Sequence, residues 1–170
     1  MRKTLVTLSH WMELTSLALW VGGMTTLVMI APLVFDTIKP LEMAGDAMSL
    51  VFRRFNGGLV FVCMGLAAAG FLGKWFLDPR HGRARKIEGG LLLVMVVCGL
   101  YIGAVLGPEM QELRKVRLIN PADTGAVVAF DRGHRLSETL FSVNLLLGFS
   151  LLLMSAREAA GRGSNDVDRP

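Results

Sequence analysis

The chain has 170 residues, of which 52% are hydrophobic and only 19% charged, and its mean hydropathy is +0.50. A soluble domain carries about 25% charged residues, and here the charges are bunched between four apolar stretches long enough to span a bilayer. That pattern excludes a soluble enzyme, a secreted disulfide scaffold and a disordered chain. The net charge of +4 sits in span-flanking segments, so it points to membrane topology and not to nucleic acid.

The first predicted span runs from about residue 5 to 34. At 1.5 Å per residue it is about 45 Å long, more than a ~30 Å hydrocarbon core requires, and Pro32 is the expected stop. Its length marks it as a retained span and not a cleaved leader. Asp36 to Asn56 follows, with Leu41, Met48, Val51 and Phe52 at helical spacing, which predicts a short amphipathic helix lying at the interface. The second span covers about 57–77 and ends at Asp78-Pro79. A basic loop with Arg80, Arg83, Arg85 and Lys86 leads into the third span, about 87–107, which should end before Pro108. The fourth span covers about 130–156. Residues 157–170 are polar and small and read as a disordered tail outside the single transmembrane domain, 1–156.

These elements predict an all-α integral membrane four-helix bundle with a short interfacial amphipathic helix after the first span. The density of Lys and Arg in the 80–86 loop places both termini in the cytoplasm, in a bacterial-type inner membrane. Small residues at four-residue spacing let helices approach closely in lipid. Gly65, Ala69 and Gly73 form one such ladder and Gly99, Gly103 and Gly107 another, while Gly22 and Gly23 permit close approach on the first span. The ladders predict that spans two and three are antiparallel neighbours, or that they form the seam of a homo-oligomer.

Ionisable residues inside spans are costly and mark functional hypotheses. His10 and Glu13 share a helical face that continues through Leu17, Trp20 and Met24. The alternating topology brings Lys74 and Glu88 to the same membrane level, so Glu13, His10 and Lys74 form the expected inner cluster. His134 and Glu138, four apart, with Asn144 deeper on the stripe, form the expected outer one. Both admit a structural reading, as polar groups that satisfy each other, and a functional one, as a site for a small ligand or ion. Under this topology His10 and His134 belong to opposite ends and cannot both ligate one haem. Cys63 and Cys98 form no C-x-x-C, and zinc-peptidase, nucleophile-elbow and phosphate-loop signatures are missing. The sequence therefore predicts no catalytic residue, metal or cofactor. The leading expectation is a non-enzymatic protein that binds or passes a small ligand or ion, or supports a membrane-complex partner. A haem b or metal redox protein is the alternative.

The combination of His10 with Trp20-x-Gly22-Gly23, Ala31-Pro32-x-x-Phe35, Ala44-Gly45 with Phe52, Pro108, and Phe130-x-x-x-His134-x-Leu136-Ser137 with Asn144 resembles the transmembrane-protein-205-like family, known in bacteria as domain of unknown function 4149. The resemblance covers about residues 5–155. In the family pattern the last Asn lies about two turns after the His, where this chain has Phe141; Asn144 is one turn later on the same face. The resemblance implies a small multi-span helical membrane protein and no established reaction.

Overall fold

A computed structural model describes residues 1–78, 82–120 and 123–167; Arg80 and His81 of the basic loop lie outside these. The described residues form six α-helices: α1 (Arg2–Thr37), α2 (Leu41–Arg54), α3 (Phe61–Leu77), α4 (Arg83–Tyr101), α5 (Gly107–Ile119) and α6 (Thr124–Val167). A π-helical turn, Phe55–Val60, fuses α2 to α3, and a second, Ile102–Leu106, fuses α4 to α5. Four continuous rods result, each long and apolar enough to cross a membrane: 2–37, 41–77, 83–117 and 124–158.

The rods outrun the predicted spans for one physical reason. In hydrocarbon an unpaired backbone group has no water to turn to, so helices continue wherever they can. Pro32 does not end α1, which runs on to Thr37. Nor does Pro108 end the third rod. It occupies the first turn of α5, where a missing N–H is tolerated, and the preceding π-helical turn loosens the ladder that its ring would otherwise strain. The predicted amphipathic helix is present as α2, but it continues into α3 through the π-helical turn as one end of the same rod.

The bundle packs around α1, which lies along α3 and also contacts α6; α4 and α5 pack on α6. Its core joins Leu17, Trp20, Val21 and Met24 of α1 to Val60, Cys63, Met64 and Ala67 of the second rod, Leu92 and Met95 of α4 and Leu151 of α6. The tightest seam is α1–α3. A Cβ on Gly70 would lie 2.6 Å from the Ser9 carbonyl oxygen, and one on Gly73 would collide with the Ser9 hydroxyl. α3 meets α4 far less than it meets α1.

The predicted ladders are therefore only partly used. Gly73 is in the seam, but Gly65 has open space beside it and Ala69 is exposed; the seam face carries Cys63, Ala67, Gly70 and Lys74 instead. Gly99 receives Met64 and Trp20, Gly103 sits at ordinary contact distance from Phe61, and Gly107 meets only the Ile102 carbonyl of its own rod. Gly23 accommodates the Phe55 ring, whereas Gly22 faces outwards.

Candidate functional site

Polar side chains from all four rods converge at the end that holds the N-terminus. Lys74 stands one turn before the end of α3 and is fully buried. Its Nζ lies 2.8 Å from Glu13 Oε2 on α1, 2.8 Å from Glu88 Oε1 on α4 and 3.3 Å from Glu158 Oε2 on α6. The ammonium donates hydrogen bonds to Glu88 and Glu158, and Glu13 stands at ion-pair distance from it.

Arg85, one turn before Glu88 on the same face of α4, extends the cluster outwards. Its guanidinium lies 2.7 Å from Glu158 Oε1 and 3.5 Å from Asp78 Oδ2, and it donates to the Lys74 carbonyl at 3.0 Å. Glu158 thus bridges both cations. Ser155 donates to Glu88 Oε1 at 3.4 Å. Ser16 donates to the Glu13 carbonyl at 2.9 Å and so presents no hydroxyl to the charges. His10 is buried one turn from Glu13 on α1.

The charge count does not balance. Two buried carboxyls, Glu13 and Glu88, share the single ammonium of Lys74, while Glu158 and Asp78 lie against Arg85. With both buried carboxyls ionised, this inner core holds one more negative charge than Lys74 supplies. Neither carboxyl oxygen of Glu13, buried in the seam, accepts a hydrogen bond among the described residues. Buried acids in such surplus need protons or a cation.

The predicted inner cluster is thus assembled around Glu13 and Lys74, with Glu88 beside them. Arg85 and Glu158 were missed. Arg85 reads as one more topology-setting basic residue, and Glu158 falls in the stretch read as polar tail, whereas here it lies on α6. A signal for Glu158 exists: Asn144, Gly148, Leu151 and Ser155 form the buried stripe of α6, and Glu158 is its next step.

Of the predicted outer cluster, His134 and Glu138 come together, with His134 Nε2 3.2 Å from Glu138 Oε1 and side chains 60% and 64% exposed. His134 stacks on Phe130, over which Arg117 lies. At this end α6 packs on α5, with Gly133 against Met110, and that contact turns positions 134 and 138 outwards. Asn144 is separate, 2% exposed in the bundle interior, and its Oδ1 accepts no hydrogen bond among the described residues. Between Asn144 and the Lys74 cluster lies a dry layer of Leu17, Trp20, Val21, Met95 and Leu151, all at most 2% exposed. Among the described residues no group of three His, Cys, Asp or Glu side chains has the geometry of a metal site.

Fold and site together define a multi-pass membrane helical bundle with a buried, acid-rich ion-pair cluster at one end. Residues 15–118 match the family described as Domain of unknown function (DUF4149), and the chain belongs to it. No curated protein and no solved structure matches the chain.

Proposed function

We propose that this protein is a non-enzymatic membrane protein that binds a small cation, a proton in the simplest case, at the Glu13–Lys74–Glu88–Glu158 cluster. The observation that carries this reading is the pair of buried carboxyls, Glu13 and Glu88, that share one fully buried ammonium, in a setting where unbalanced charge is costly. The apolar layer of Leu17, Trp20, Val21, Met95 and Leu151 supports binding from one end over passage through the bundle. In a bacterial-type inner membrane with both termini inside, that end faces the cytoplasm. The wider likeness to transmembrane-protein-205-like proteins lies partly outside residues 15–118 and supports the membrane setting alone.

Infrared difference spectra of the protein in nanodiscs test the proposal. A protonated-carboxyl band is expected that is lost in Glu13→Gln or Glu88→Gln and shifts when alkali cations are added. If no carboxyl band appears and no cation alters the spectrum, the reading is overturned. The haem or metal redox alternative predicts a Soret band or stoichiometric metal in the purified protein. Such a signal, abolished by His10→Ala, would replace the cation reading.

A further inference from the structure

At the opposite end of the bundle residues of α2 and α5 line an open groove of about 220 Å³. That volume is about seven water molecules' share of liquid, below the 300–1,000 Å³ of sites for drug-sized ligands. It suits a compact polar group. The groove belongs to neither polar cluster discussed above.

Its lining follows from the helical period. Glu42, Asp46, Ser49 and Arg53 recur along one stripe of α2, and the last three line the groove with Gln111, Arg114 and Lys115 of α5. Arg114 is the fixed element. Its guanidinium donates to the Gly45 and Glu42 carbonyls at 2.7 and 2.9 Å and pairs with Asp46 at 2.8 Å. Lys115 pairs with Glu112 at 2.8 Å, but both side chains are well exposed, so that bond is easily exchanged. Arg53 has no hydrogen-bond or ion-pair partner among the described residues. Three cations thus face one groove-lining carboxylate, and one of the three is uncommitted.

We infer that this groove binds a phosphate group, held by Arg53 and Lys115 with Ser49 and Gln111 as neutral donors, and that the phosphate is the headgroup of an anionic lipid. Arg and Lys are the residues suited to phosphate oxygens. The lipid source is favoured by Leu50, a half-exposed apolar member of the lining. Asp46 opposes the anion directly, but Arg114 neutralises it at 2.8 Å.

The test uses the full chain in nanodiscs of phosphatidylcholine, titrated with phosphatidylglycerol, and native mass spectrometry to count retained lipid. One phosphatidylglycerol should be retained in preference to phosphatidylcholine. Arg53→Gln and Lys115→Gln should each weaken retention about tenfold, the scale of one lost charge-assisted hydrogen bond. Arg54→Gln, the exposed neighbour outside the groove, should stay within about twofold of the parent. Equal loss in Arg54→Gln, or undiminished retention in both groove variants, overturns the inference. A second arm adds inorganic phosphate to detergent-purified protein. Binding that needs Arg53 and is displaced by phosphatidylglycerol supports the lipid assignment. Phosphate binding that the lipid does not displace assigns the groove to free phosphate and overturns the lipid source. Unchanged thermal unfolding of the variants in phosphatidylcholine separates lost ligand contacts from lost fold.

Discussion

Lys74 is where the chemistry of the interior concentrates. Replacing it with Met leaves Glu13 and Glu88 facing each other with no cation between them. Removal of one partner from a buried ion pair costs about 3–5 kcal/mol, so Lys74→Met should lower thermal stability in detergent sharply, and adding Glu13→Gln and Glu88→Gln should recover most of it. The Glu13–Lys74 pair was legible in the sequence because His10 and Glu13 share the face of Leu17, Trp20 and Met24, which is the buried face of α1. Arg85 and Glu158 were not legible, because a charge near a span end looks the same whether it turns inwards or to water. The glycines show the same limit. Gly65 and Gly70 stand on different faces of α3, and lipid is as apolar as the core, so hydrophobicity cannot choose between the faces. A methyl at Gly70 meets the Ser9 and Glu13 backbone within 3 Å, and one at Gly65 meets nothing. Gly70→Ala should therefore cost about 1–3 kcal/mol and Gly65→Ala within about 0.5 kcal/mol, read by unfolding in a common detergent.

At the scale of elements, the four rods and the amphipathic α2 were readable from hydropathy and period alone. Their ends were not. Pro32, Pro108 and the run Asn56-Gly57-Gly58 are stop signals in water, yet each lies within a continuous helical rod here. The rods keep their partners across the π-helical turns: α2 and α3 both contact α1, and α4 and α5 both pack on α6. Arg114 ties the two outer helices together through carbonyls of α2. Arg114→Ala should release α2 and raise amide exchange across 41–54 while leaving 61–77 protected. Uniform exchange changes across both segments would show that α2 is held by its fusion to α3 alone.

Over the whole molecule, polarity is distributed unevenly along the bundle axis. The charged cluster occupies one end, the middle is dry, and Asn144 stands beyond the dry layer. The division into an inner and an outer polar region was visible in the sequence; the outward turn of His134 and Glu138 was not, since it depends on how α6 leans on α5. A bundle closed in this way should not conduct. Proteoliposomes loaded with potassium should hold their gradient as long as protein-free ones, and a leak abolished by Glu13→Gln would contradict the single-ended site.

The position of the ion pairs also has an electrical meaning. Glu13 lies level with Gly70, and Lys74 is three residues from the end of α3; with the hydrocarbon edge set at that helix end, the cluster would be about 5–10 Å inside a ~30 Å layer. A cation arriving from that side crosses less than about a third of the transmembrane potential. Moving a full charge across 100 mV is worth about 2.3 kcal/mol, so the free energy of the proposed cation binding would change by less than about 1 kcal/mol over the same voltage. A cation bound there would report the composition of the adjoining compartment and be nearly blind to the voltage across the membrane.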